Sequence, residues 1–201
     1  FVQLKCSLMP YLYAKAVEAH EDGTPVMRPM VFEFEDDPAC QTLDMQYMLG
    51  ESLLTAPIFS EDGSAAWYLP EGTYLDGTVK EGGRFYKDRF DYFSLPLYVR
   101  ENTLLAVGSV TERPDYDYAA SSVLHLFALK DGKEAVCKIP DIHGQIVETV
   151  KAIRSGQKIV VTADGKNREE DAAFALVMHD ENGNMQEISV PAKGEAVLEL
   201  I

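Results

Sequence analysis

The chain has 201 residues, of which 46% are hydrophobic and 25% are charged, and its net charge is −15 at pH 7. This composition is typical of a globular protein and excludes a disordered chain, a collagen or another fibre. Because a phosphate backbone is bound by clustered cations, we expect no nucleic-acid partner, whereas a neutral ligand such as a sugar is compatible with the charge. No apolar run approaches the roughly 18 residues of a membrane-spanning helix, so we expect no membrane partner.

The three cysteines, Cys6, Cys40 and Cys137, show no spacing typical of a disulfide framework or of a zinc site. We therefore expect a reducing compartment and a cytoplasmic location. No signal peptide is visible, and the sequence begins at Phe1 instead of a methionine. From this start we expect the true N-terminus to be missing.

Residues 1–22 predict a helix that ends at Gly23, a residue suited to a left-handed C-cap. Pro25 prevents its continuation, and Pro10 is expected to kink it because proline lacks the amide hydrogen of the helical ladder. The helix is apolar on nearly every side, which is typical of a helix inside a larger protein. We therefore expect its packing partner to be absent from this chain.

Two β-rich regions follow the helix. In the first, strands are predicted at 26–34, 52–59, 65–69, 73–75, 84–86 and 97–99, with a short helix at 39–48 that starts after Asp36-Asp37-Pro38. Residues 103–122 read as a connection between domains. In the second, strands are predicted at 123–129, 135–139, 146–153, 158–163, 174–179, 185–190 and 196–200. The predicted fold class is mainly β, with two consecutive antiparallel β-sandwich-like domains, 24–105 and 106–201, preceded by one helix at 1–23.

Neighbouring acidic residues are candidates for the paired carboxylates of a glycosidase, in which one acts as nucleophile and the other as acid. The candidates are Asp36 with Asp37, Asp115 with Asp117, and Glu169 with Glu170 and Asp171. All lie in turn-like polar sequence, where nothing nearby would separate two pKa values. We interpret them as solvated loop residues.

Other catalytic patterns are weak. The histidines His20, His125, His143 and His179 are scattered along the chain, so structural or solvated roles are expected for them. The sequence has no G-x-S-x-G motif and no phosphate-binding loop, and residues 164–167 lack the carboxylate ladder of a calcium loop. We predict no catalytic residue, no metal and no cofactor in this chain.

Aromatic residues are concentrated in one segment: Trp67, Tyr68, Tyr74, Phe85, Tyr86, Phe90, Tyr92, Phe93 and Tyr98. Exposed rings can stack on sugar faces, whereas buried rings form a core or a domain interface. The candidates for sugar stacking or for burial at an interface are Trp67, Tyr68, Tyr74 and Tyr86. Both interpretations are open at the level of the sequence.

Several strings, taken together, resemble the C-terminal part of a glycoside hydrolase of family 31. They are residues 8–13 (LMPYLY), 23–30 (GTPVMRPM), 34–38 (FEDDP), 46–50 (QYMLG), 56–59 (APIF) and 68–72 (YLPEG). Further strings are similar to the bacterial α-xylosidases of that family. These are residues 37–40 (DPAC), 97–106 (LYVRENTLLA), 113–116 (RPDY) and 131–137 (DGKEAVC).

The resemblance implies a larger enzyme with an N-terminal β-sandwich, a (β/α)₈ barrel, and proximal and distal β-domains. It implies retaining hydrolysis of terminal α-xylose by two barrel aspartates whose motifs do not occur here, so no catalytic residue carries over. Residues 1–23 then correspond to the last helix of the missing barrel, 24–105 to the proximal domain and 106–201 to the distal domain. The aromatic segment becomes a seam against the barrel.

Three interpretations follow. The first is the non-catalytic C-terminal region of an α-xylosidase, with the barrel of the same chain as partner, an oligosaccharide as the substrate of the whole enzyme, and contacts in a homo-oligomer. The second is a stand-alone carbohydrate-binding module, which needs an exposed aromatic platform. The third is an α-glucosidase parent, because sugar choice is made by residues of the barrel.

Overall fold

A computed structural model describes residues 1–165 and 172–200. The chain divides into two compact units. The central unit comprises Pro25–Glu101, and the terminal unit comprises Phe1–Thr24 together with Asn102–Ile201. Both units are built mainly of antiparallel β-structure that follows N-terminal helices, so the predicted fold class is confirmed.

The N-terminal segment forms two consecutive helices, α1 (Val2–Ser7) and α2 (Met9–Asp22), where one kinked helix was predicted. The break lies at Leu8, and Pro10 falls in the first turn of α2, where the missing amide hydrogen has no helical acceptor to lose. Gly23 ends α2 in the left-handed conformation, with φ of 83°, and its N–H donates to the Ala19 carbonyl at 3.2 Å. The predicted C-cap is therefore present.

In the central unit, six short strands form one sheet in the order β1-β2-β3-β8-β5-β6, and β4 pairs with β7, all of them antiparallel. Their bounds are β1 (Met27–Pro29), β2 (Tyr47–Leu49), β3 (Leu53–Thr55), β4 (Ser64–Leu69), β5 (Thr73–Leu75), β6 (Val79–Glu81), β7 (Arg84–Arg89) and β8 (Leu97–Arg100). The strand β6 was not predicted, and β7 extends three residues beyond the prediction.

The helix predicted at 39–48 is wrong. Only one 3₁₀ turn (Pro38–Gln41) forms there, with the Asp37 carboxylate accepting from Ala39 N at 3.0 Å. The chain then becomes extended because the Gln46 amide bonds both backbone groups of Tyr68, at 2.7 and 2.8 Å. The predicted strand at 26–34 is also interrupted, since the short helix α3 (Met30–Glu33) follows β1.

The terminal unit is a β-sandwich of two four-stranded sheets within the described residues, in the orders β15-β14-β10-β9 and β11-β12-β13-β16. The bounds are β9 (Thr103–Gly108), β10 (Ser122–Phe127), β11 (Glu134–Pro140), β12 (Ile146–Ser155), β13 (Lys158–Ala163), β14 (Ala173–His179), β15 (Met185–Pro191) and β16 (Gly194–Glu199), with the short helix α4 (Tyr118–Ser121) between β9 and β10. The seven predicted strands are present. The predicted connection at 103–122 instead begins with a buried strand, β9.

One strand pair departs from the antiparallel prediction, because β10 and β14 run parallel. Inward-facing side chains of both sheets form one core, including Leu124 and Leu176 from one sheet and Ile139 and Val150 from the other. The N-terminal helices join this core through Met9 and Tyr13. One face of the helical segment is therefore covered within the terminal unit, while Val2 and Leu4 of α1 stay exposed.

Candidate functional site

The candidate Trp67 lies in the interior of the central unit and is only 2% exposed. Its indole stacks with Tyr86 and with Tyr98, in each case with 5.8 Å between the ring centroids, and Phe90 meets it edge-on at 5.6 Å. Such stacks stabilise a core beyond the area that they bury. Because the indole is buried against these three rings, Trp67 presents no open platform in this conformation.

The tyrosines of the candidate set share this environment. Tyr68 donates its hydroxyl proton to Asp37 Oδ2 at 2.9 Å, and burial together with Asp37 raises the pKa of Tyr68 to about 12. Tyr74 is fully buried, and burial raises its pKa as well. Tyr86 donates to the Glu81 carbonyl at 2.8 Å. The structure thus brings the four candidates together as a packed aromatic cluster.

Exposed aromatic residues occur at a different place in the same unit. Tyr92 and Phe93 are 95% and 91% exposed, on a turn of residues 91–94 that we call the Asp91 turn. The Asp91 carboxylate accepts from Phe93 N at 2.9 Å and from Ser94 Oγ at 2.7 Å, and these bonds lower the pKa of Asp91. The turn therefore holds two neighbouring rings in water on an ordered backbone, which the sequence alone did not single out.

A buried charge network in the central unit was also missed at the sequence level. Arg28 is 4% exposed and contacts Glu33 Oε1 at 2.5 Å and the Pro25 carbonyl at 2.9 Å. Arg100 lies 3.7 Å from the other Glu33 oxygen and stacks on Phe34 at 4.6 Å. The signal in the sequence was the presence of two charged residues, Arg28 and Glu33, inside the mainly apolar segment 26–34.

The acidic candidates are placed apart in capping or exposed positions. Asp37 and Asp117 cap short helical turns, and the Asp117 carboxylate accepts from Ala120 N at 2.9 Å. Asp36 and Asp115 are exposed. The remaining candidates, Glu169, Glu170 and Asp171, lie outside the described residues.

The histidines are less scattered than expected. His125 Nδ1 lies 3.0 Å from His179 Nε2, and Phe127 stacks on the His179 ring at 4.2 Å. Burial lowers the pKa of His125, and burial together with the His125 charge lowers the pKa of His179 to about 4. Across residues 1–165 and 172–200, no three metal-ligating side chains come together, and no helix is long and apolar enough to span a bilayer.

Two family models match the sequence of this chain. The glycosyl hydrolase family 31 C-terminal domain matches residues 23–105. The C-terminal domain of alpha-xylosidase YicI matches residues 117–200. The chain belongs to glycoside hydrolase family 31.

The curated family 31 relatives are much longer proteins. Alpha-xylosidase XylQ of Lactiplantibacillus pentosus is 34% identical over 201 residues, which cover 96% of this chain and 26% of XylQ. Alpha-glucosidase 2 of Bacillus thermoamyloliquefaciens is 33% identical over 140 residues, 66% of this chain and 17% of that protein. The chain therefore spans about a quarter of the length of XylQ, and its match spans a smaller share of Alpha-glucosidase 2.

Solved family 31 structures share the fold. The dextranase of Flavobacterium johnsoniae superposes with a TM-score of 0.78 at 21% identity, covering 97% of this chain and 31% of that one. The α-xylosidase of Xanthomonas citri superposes with a TM-score of 0.76 at 19% identity, covering 99% and 24%. This family 31 chain thus covers the C-terminal domains of such enzymes and not their catalytic barrel.

Proposed function

We propose that the chain is the non-catalytic C-terminal region of a retaining α-xylosidase, in which it supports the catalytic barrel. The observation that carries this proposal is the 34% identity with an α-xylosidase over 96% of the chain. The hydrolysed substrate would be an oligosaccharide with terminal α-linked xylose, and the reacting aspartates would belong to the barrel. A cytoplasmic location is part of the proposal, and the buried thiols of Cys6, Cys40 and Cys137 suit a reducing compartment.

The supporting role is inferred from the apolar surface of the central unit. Its exposed large side chains are Met27, Val31, Phe32, Met45, Phe59, Phe85, Tyr92 and Phe93. Apolar residues exposed singly are ordinary, whereas neighbouring exposed apolar residues such as Tyr92 and Phe93 mark an interaction surface. Aromatic residues held on an ordered backbone are the usual anchors of such a surface, because little conformational entropy is lost when they bind.

The Asp91 turn is therefore the proposed anchor against the barrel. Tyr92 and Phe93 stand nearly free in water, while their backbone is fixed by the Asp91 carboxylate. In the terminal unit, Phe1 and the α1 residues Val2 and Leu4 are also exposed. We propose residues 1–23 as the last helix of the barrel region, and contacts in a homo-oligomer as a further role of the chain.

An α-glucosidase parent is the second candidate, favoured by the 33% identity with Alpha-glucosidase 2 over 66% of the chain. The barrel that would choose the sugar is not covered by this chain. Parallel assays with p-nitrophenyl α-xyloside and p-nitrophenyl α-glucoside on the complete enzyme separate the two parents. Faster hydrolysis of the xyloside supports the proposal, and faster hydrolysis of the glucoside replaces it.

The supporting role is tested by complementation. The 201-residue chain alone is expected to hydrolyse neither substrate, and activity is expected when the remaining part of the enzyme is co-expressed with it. The double variant Tyr92→Ser and Phe93→Ser is expected to reduce recovered activity at least about ten-fold, because buried aromatic anchors carry much of an interface's free energy.

The control is Met185→Ser, which removes another exposed apolar side chain, this one from the terminal unit. This variant is expected to complement like the wild type. Turnover by the isolated chain would contradict the non-catalytic assignment. Equal complementation by both variants would contradict the role of the Asp91 turn.

A further inference from the structure

One end of the β-sandwich of the terminal unit opens into a cavity of about 670 Å³. Its walls are the β12–β13 turn, the β14–β15 turn and the segment that follows β10. The volume falls within the roughly 300–1,000 Å³ in which proteins hold small molecules. We propose that this cavity is a binding site for a neutral saccharide, separate from the aromatic cluster of the central unit.

The charged side chains around the cavity are satisfied by the protein itself. Glu181 accepts from Lys130 Nζ at 2.6 Å and lies 3.9 Å from Arg154 Nη1. Arg154 also donates to the carbonyls of Leu129 and Gly156, at 2.8 and 3.0 Å. An anion would meet an arginine already paired in a strongly acidic chain, so an uncharged ligand is favoured.

The β14–β15 turn is ordered by its own hydrogen bonds. The Asp180 carboxylate accepts from the backbone N–H groups of Asn182 and Asn184, both at 2.8 Å, and from Asn184 Nδ2 at 2.7 Å. On the same wall, His179 is fixed by its contact with His125 and by the Phe127 ring. A wall that is ordered before the ligand arrives loses less conformational entropy on binding.

The hydrogen-bonding groups left for a ligand are side-chain amides. Gln157, in the β12–β13 turn, and Gln186, in β15, line the cavity, and neither side-chain amide has a partner within the part of the chain that the structure describes. An amide offers both donors and an acceptor, and a sugar hydroxyl does the same. The accessible apolar lining of the cavity comes from Met185 and Leu200. The apolar lining would contact the C–H face of a pyranose, and the amides would bond to its hydroxyl groups.

The test uses the 201-residue protein and methyl α-D-xylopyranoside, a probe chosen on the basis of the proposed function. The side-chain amide signals of Gln157 and Gln186 are followed by ¹⁵N NMR. They are expected to shift with millimolar affinity, and Gln157→Ala or Gln186→Ala is expected to weaken binding about five-fold, as for one lost hydrogen bond. The matched control, Gln145→Ala, changes an exposed glutamine that does not line the cavity and is expected to leave affinity unchanged.

The proposal would be overturned if the amide signals did not shift at saccharide concentrations up to roughly 100 mM, because binding would then be too weak to matter. Equal shifts with glycerol, or equal weakening by Gln145→Ala, would also overturn it, because contact would then be non-specific. Far-UV circular dichroism of each variant verifies that the fold is intact. Hydrolysis by the larger enzyme plays no part in this titration, so failure here and failure of the proposed function are distinguishable.

Discussion

The His125–His179 contact makes the terminal unit sensitive to acid. In the folded chain the pKa of His179 is lowered from 6.5 to about 4, first by burial and then by the charge of His125. Below about pH 6.5, His179 is protonated in the unfolded chain but stays neutral in the folded chain. The free energy of unfolding therefore falls as the pH drops from about 6.5 towards about 4. The full difference corresponds to about 3 kcal/mol at about 1.4 kcal/mol per unit. Because the ring is half-buried, screening by water reduces the expected loss to about 1–2 kcal/mol.

The assay is urea unfolding of the wild type and of His179→Gln, followed by far-UV circular dichroism at about pH 7 and about pH 4.5. The wild type is expected to lose about 1–2 kcal/mol more than the variant between these conditions. Trp67, the one tryptophan, belongs to the central unit, so its fluorescence is an internal control that this substitution leaves unchanged. An equal loss in both proteins, or an NMR titration that places the His179 pKa near 6.5, would refute the reasoning.

Two further predictions concern the central unit, and Trp67 fluorescence during urea unfolding measures both. A Cβ at Gly82 would overlap the backbone carbonyl oxygen of Pro70, so Gly82→Ala is expected to lower the free energy of unfolding by about 3 kcal/mol. Gly83 has a φ of 75° and open space around it, so Gly83→Ala is expected to lower that free energy by only about 1 kcal/mol. Equal costs would contradict the close approach. Arg28→Met leaves the Glu33 carboxylate without its 2.5 Å partner and is expected to cost about 3 kcal/mol, with a smaller loss for Arg28→Lys. A loss below about 0.5 kcal/mol would show that the network contributes little.

The parts of the fold that depend on local chemistry could be predicted from the sequence. Gly23 ends α2 because only a residue without a side chain adopts a φ of 83° freely. The strands of the terminal unit were placed by β-forming runs between turn residues. The helix at 39–48 failed because the extended backbone there is held by Gln46, whose partner is 22 residues away. A local pattern carries no information about such a contact.

The candidate aromatic residues illustrate the same limit. Their concentration between residues 67 and 98 is visible in the sequence, but stacking on sugar and packing in a core need the same side chains. Strand pairing decided between them, since β4 places Trp67 directly opposite Tyr86 of β7. The exposure of Tyr92 and Phe93 follows from the Asp91 turn, whose side-chain bonds fix a backbone direction that composition does not specify.

By itself the sequence determined the fold class and the family resemblance, because hydrophobic periodicity, turn residues and ordered motifs are local properties of the chain. The tertiary structure alone decided which distant side chains meet. His125 and His179 are 54 residues apart, and they pair because β10 and β14 run parallel in one sheet. Arg28 can be buried because α3 brings the Glu33 carboxylate, its counter-charge, within 2.5 Å of the guanidinium. Contacts of this kind depend on chain topology, which no single segment encodes.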